Sequence, residues 1–133
     1  MSTLKTNTIQ HLTSGFNNIV THTDGAGTVN AAHARAWVNF DGTGAVAIRS
    51  NFNVNSITDN GTGDYTVNFT NALSDANYVC FGDGRRSADV GGGEVSPNTG
   101  FSNFATTSVR MGTQDNNADG YQDSTNVFFV LFR

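Results

Sequence analysis

The sequence predicts an all-β protein built of short antiparallel strands, and three observations lead there. Residues that sustain helices are scarce, with one Glu, one Lys and four Leu in 133 residues. Strand and turn formers dominate instead, including 10 Phe and 15 Gly alongside many Thr, Val and Asn. Finally, a glycine-bearing turn recurs as Asp24-Gly25-Ala26-Gly27, Asp41-Gly42-Thr43-Gly44 and Asn60-Gly61-Thr62-Gly63. The spacing between these turns admits one strand and its return, not a crossover helix. The expected architecture is an antiparallel β-sandwich, jelly-roll-like, with an extended amino-terminal arm.

The elements follow in chain order. Residues 1–34 are polar with scattered apolar positions. Ile9, Leu12, Phe16 and Ile19 are spaced for a helical seam, but Ser14-Gly15 and Asn17-Asn18 oppose it. An extended arm or paired short strands is expected, used for docking or oligomerisation, and residues 35–133 form the sandwich. Trp37-Val38-Asn39-Phe40 and Ala45-Val46-Ala47-Ile48 should pair across the Asp41–Gly44 turn. The stretch 52–69 reads as the central hairpin. Tyr65, Val67 and Phe69 alternate with Thr66 and Asn68, so the three rings and branches share a face. Phe52, Val54 and Ile57 share a face only if a bulge falls near Asn55-Ser56. That register sets Ile57 near Tyr65, Val54 near Val67 and Phe52 near Phe69.

Two later segments are apolar in both phases: Tyr78-Val79-Cys80-Phe81 and Val127-Phe128-Phe129-Val130-Leu131-Phe132. A strand of an antiparallel sandwich normally wets one face. Six apolar residues in a row therefore call for a second surface, and another subunit is the expected cover, with residues 127–132 as the oligomer interface. The stretches 82–100 and 112–125 are rich in Gly and polar residues and too long for hairpin turns. They are the expected contact loops, with Arg85, Arg86, Glu94, Asn98, Phe101 and Tyr121 as receptor or ligand contacts. Phe101 and Tyr121 offer rings for sugar stacking, set against the simpler role of pinning a loop to the core.

Charge and cysteine usage exclude several classes. A net charge of -4 and a pI near 5.0 do not suit a nucleic-acid binder. The single Cys80 permits no internal disulfide and reads as a buried reduced thiol. No apolar signal core follows Met1 and no segment is long and apolar enough to span a membrane. Folding in a reducing cytoplasm is expected.

Chemistry-bearing motifs are few. Asp115, Asn117, Asp119 and Asp123 offer oxygen ligands around Gly120 in the manner of a calcium loop, but Asn126 stands where a bidentate Glu belongs. Any polar turn uses the same residues. No cofactor is expected, calcium being the one candidate. His11, His22 and His33 recur every eleven residues, and copies of one His around a three-fold axis would make a metal site; surface histidines are commoner. No nucleophile elbow, zinc-binding His pair or phosphate-cradling loop occurs, so catalysis is not expected.

The opening Ser2-Thr3-Leu4-Lys5-Thr6-Asn7-Thr8-Ile9-Gln10-His11 resembles the amino-terminal signature of structural proteins of marine and cyanobacterial phages. The run from Ala36-Trp37-Val38-Asn39-Phe40 through Ile57-Thr58-Asp59-Asn60-Gly61-Thr62-Gly63-Asp64-Tyr65 to Asp75-Ala76-Asn77-Tyr78 is similar to a domain recurrent in tail-fibre proteins of those phages. The likeness covers roughly residues 2–11 and 36–82 and contains no catalytic motif. It implies a homotrimeric virion appendage, with intertwined subunits, assembled in the host cytoplasm. Its expected partners are its own copies, other virion proteins through residues 1–34, and a host-surface glycan or protein. There is no room for a long shaft, so a short fibre or tail-tip protein is implied. A capsid decoration or tail-assembly protein is the alternative, and a carbohydrate-binding module or glycan depolymerase a more distant one.

Overall fold

The computed structural model describes residues 20–24, 27–31, 34–85, 98–114 and 120–133. The chain divides into two compact units, Met1–Ala32 and His33–Arg133. In the first, β1 (Val20–Asp24) and β2 (Gly27–Ala31) form an antiparallel hairpin closed at Asp24 and Gly27, the first of the recurrent turns.

The second unit holds eight strands in two four-stranded antiparallel sheets. Its strands are β3 (Ala34–Asp41), β4 (Ala47–Phe52), β5 (Val54–Gly61), β6 (Asp64–Phe69), β7 (Val79–Arg85), β8 (Asn98–Ser102), β9 (Ser108–Gln114) and β10 (Asn126–Phe132). One sheet runs β4-β3-β10-β7 and the other β5-β6-β9-β8. They pack face to face around a single core. Ala36, Val38, Phe40, Val127, Phe129 and Leu131 come from the first sheet, and Tyr65, Val67, Phe69, Val109 and Met111 from the second. Rings join the layers: Phe40 meets Tyr65 edge-on at 5.1 Å and Phe69 stacks on Phe129 at 6.3 Å.

The fold is thus an all-β sandwich, but its strand order departs from the jelly-roll-like expectation. The hairpins β3–β4, β5–β6 and β8–β9 each stay within one sheet. In a jelly roll, consecutive strands mostly alternate between sheets. At β3–β4 and β5–β6 the order goes with glycine turns, which favour pairing a strand with its immediate successor, and at β8–β9 the connection carries Asn103 at φ +50° instead.

The recurrent turns close the β3–β4 and β5–β6 hairpins as well. Gly44, Gly61 and Gly63 all take positive φ, at 60°, 128° and 62°. Between Val54 and Ser56 the β5–β6 ladder shifts, placing the bulge at Asn55. Val54 and Ile57 therefore share the inner face, as the alternation requires. The register itself differs from the sequence expectation by two residues. Ile57 pairs with Val67 rather than Tyr65, and Val54 with Phe69 rather than Val67. The turn lies later in the chain than the expected pairing assumes, with Gly61 opposite Asp64 and Thr62-Gly63 at its tip, and this displaces the ladder. Phe52 does not join this hairpin. It ends β4 opposite Trp37, and the chain changes sheets at Asn53, whose φ is +55°. The Asn53 side chain stabilises that corner, donating to Arg35 O at 3.1 Å and accepting from Asn71 N–H at 2.8 Å.

Candidate functional site

The outer faces of the two sheets have different chemistry. On β5-β6-β9-β8 the outward side chains are Ser56, Thr58, Asn60, Asp64, Thr66, Asn68 and Arg110, and they bond to one another. Asn68 Nδ2 donates to Ser56 Oγ and Thr58 Oγ1 at 3.2 and 3.0 Å, and Asn60 Nδ2 donates to Thr66 Oγ1 at 2.9 Å. Arg110 pairs with Asp64, its Nε donating at 2.7 Å and its Nη2 completing the fork. Those bonds hold the Asp64 carboxyl below the usual aspartate range.

On β4-β3-β10-β7 the outer face is apolar. Its registers place Phe52, Trp37, Val130 and Phe81 side by side in one row across all four strands. The next row holds Ser50, Asn39, Phe128 and Asp83, and a third pair sets Phe132 beside Val79. These apolar side chains stand in solvent: Phe81 is 63% exposed, Val79 61%, Phe52 53%, Phe128 45% and Trp37 37%. Between Trp37 and the rings of Phe81 and Phe128 lies a groove of about 430 Å³, floored by Asn39 and Val130. The buried Oδ1 of Asn39 has no hydrogen-bond partner among the described residues.

Polar groups frame this surface at the strand ends. At one end Asp41 pairs with Arg49 at 2.8 Å, and Arg49 also donates to Asn126 Oδ1 at 2.9 Å. Arg49 reaches them because it is the bulged residue of β4, where the ladder shifts between Asn39 and Phe40. At the other end Arg133 pairs with Asp75 and donates to Ser74 Oγ at 2.9 Å. An apolar centre within a polar margin is the anatomy of a protein interface.

The six residues of 127–132 divide by phase. Val127, Phe129 and Leu131 are buried in the chain's own core, so they need no second subunit; Phe128, Val130 and Phe132 lie on the outer face. The run is apolar throughout because its inner half packs on the opposite sheet and its outer half belongs to the exposed face. Sequence alone did not single out Trp37, Phe52, Val79 and Phe81 as the rest of that face. Their joint placement depends on β10 sitting between β3 and β7, a long-range order that no local pattern encodes.

The expected contact loops are shorter than 82–100 and 112–125. Gly82–Arg85 continue β7, Asn98–Gly100 begin β8, and Gly112–Gln114 finish β9. Two of the glycines there, Gly82 and Gly112, make room for rings. A Cβ on Gly82 would lie 2.9 Å from Phe101, and one on Gly112 2.4 Å from the Tyr121 ring. Phe101 is scaffold, packed against Phe129 at 6.1 Å. Tyr121 is exposed but lies along Gly112 and bridges to Gln114. Arg85 is exposed on β7, its carbonyl accepting from Thr125 Oγ1 at 3.2 Å. Arg86, Glu94 and the side chain of Asn98 lie outside the described residues.

Asp123 is committed to the scaffold. Its Oδ1 accepts from Gly63 N–H at 2.7 Å and from Tyr65 O–H at 3.0 Å. Burial and the Asp123 carboxylate raise the Tyr65 phenol well above its ordinary range, so it stays a donor. Asp115, Asn117 and Asp119, the other members of the calcium pattern, lie outside the described residues, as do His11, His33 and the side chain of His22. Cys80 is a free thiol packed against the core, and burial pushes it up to about 11. No helix among the described residues is long and apolar enough to cross a membrane.

No family model, curated protein or solved structure matches the chain.

Proposed function

We propose that the chain is a phage virion subunit, part of a short tail fibre or tail tip that contributes to host-surface attachment, and that it acts as a binding and assembly module without catalysis. The observation that carries the assembly part is the exposed row Phe52, Trp37, Val130 and Phe81 with its polar margin. A face of that chemistry is stabilised by docking on another protein surface. The virion context rests on the likeness at residues 2–11 and 36–82, the second of which spans β3 to the start of β7. Attachment falls to residues within the stretches 82–100 and 112–125, and residues 1–34 dock on neighbouring virion proteins.

A second reading, a decoration or tail-assembly protein without receptor contact, is favoured by one specific observation. Asp123, which lies in the proposed attachment region, is spent on holding Gly63 and Tyr65. Gold-labelled antibody on intact particles tests the main reading. Labelling at the tail extremity, with adsorption lost when residues 86–97 are replaced, is expected. Label confined to the head, or adsorption untouched by that replacement, supports the second reading. A chain absent from the particles overturns both.

A further inference from the structure

We infer that the occupant of the apolar face on β4-β3-β10-β7 is another copy of this chain, so that the protein self-associates through that face; this deepens the assembly reading by naming its partner.

Area is the first argument. A large apolar side chain carries about 150–250 Å². At the observed exposures, Trp37, Phe52, Val79, Phe81 and Phe128 together leave roughly 500 Å² of apolar surface in water. That is near the upper end for a monomer's largest patch, and a specific interface of roughly 800 Å² per partner would take the remainder from the polar margin.

Shape is the second. The same face carries both a groove, between Trp37 and the Phe81 and Phe128 rings, and standing rings at Phe52 and Phe81. A contact between like faces needs both features on one surface, because each copy must supply ring and groove alike.

Charge is the third. Two ion pairs within the chain stand at the margin, Arg49 with Asp41 and Arg133 with Asp75. Two copies can approach without a single-sign field between them, despite the net charge of -4. Asp83 beside Phe128 is the one acidic group within the rows. A basic ligand would meet only that isolated carboxylate, whereas a matching apolar sheet face meets four strands of rings. Sheet-on-sheet packing of this kind already forms the chain's own core.

Analytical ultracentrifugation of the full chain tests this directly. The wild type should sediment as a closed oligomer, a whole multiple of 14.1 kDa. Phe81→Lys and Phe128→Lys should each weaken association at least about 30-fold, the loss typical of a central interface residue. Circular dichroism should show both variants folded, since neither side chain lies in the core. Thr66→Lys, on the polar outer face, should leave the mass unchanged. A wild type that is monomeric at all concentrations overturns the inference, whatever else covers the face. So does an oligomer that Phe81→Lys and Phe128→Lys leave intact. Failure here is distinct from failure of the virion reading: a monomer found in particles sinks only this inference, and an oligomer missing from particles sinks only the virion role.

Discussion

On the outer side of β5-β6-β9-β8, Asn, Thr, Ser and an Arg–Asp fork satisfy one another and water. On the outer side of β4-β3-β10-β7, five large apolar side chains stand exposed around a groove. The inner sides are alike, so the core does not require this asymmetry. Side-chain ladders of the first kind keep a sheet face soluble and its registers fixed. Rings of the second kind gain nothing from water, and it is this face that is proposed to dock. Both sheets close the fold, and one of them also leaves large apolar side chains in water.

The largest expected effect contrasts neighbours in β10. Phe129 is buried between the sheets and Phe128 faces out. Phe129→Ala should destabilise the fold by about 3–5 kcal/mol, read as a fall in the denaturant midpoint. Phe128→Ser should leave the midpoint of a dissociated sample nearly unchanged. Equal losses from both would erase the distinction between inner and outer faces.

Next in size is the pinned end of the sandwich, where Gly63 has φ +62° and a Cβ would lie 2.5–2.7 Å from the backbone of Gln122 and Thr113. Gly63→Ala should cost about 2–4 kcal/mol in the same denaturation measurement. A neutral result would mean that 120–124 does not lie on the β5–β6 turn. Smaller still is Asp64→Asn on the polar face. The folded Asp64 titrates below the 3.8 of a free aspartate, chiefly through its bonds to Arg110. The stability it contributes is therefore in place above that value and lost as pH falls through the lower folded pKa. Asp64→Asn should flatten the acid limb of a thermal-stability profile without changing the oligomeric mass. The smallest effect belongs to Ser124, whose buried Oγ lacks a partner among the described residues. Ser124→Ala should shift the midpoint by no more than about 0.5 kcal/mol, in either direction.

Much of the fold was legible where local chemistry decides it. The Tyr65, Val67, Phe69 alternation gave one face of β6, and the mismatch between Val54 and Ile57 located the bulge at Asn55. The glycine turns marked three hairpins. Legibility failed where the answer depends on distant partners. Phe52 lies two residues from β5 yet belongs to β4, because Asn53 turns the chain between sheets. Gly82 and Gly112 read as loop signals, yet they sit in strands and give Phe101 and Tyr121 space. The candidate interface was half visible. An unbroken apolar run at 127–132 signalled an unusual strand, but only its place between β3 and β7 shows which half is free and which residues join it.

Trp37 offers the most direct test of the account. It is the only tryptophan in the chain, and it stands in the centre of the apolar row, 37% exposed in the single chain. Its emission should be blue-shifted and resistant to acrylamide at high protein concentration. On dilution it should move red and become quenchable, in step with the loss of oligomer mass. Emission that is independent of concentration while the mass changes would contradict the claim that this face is where the copies meet.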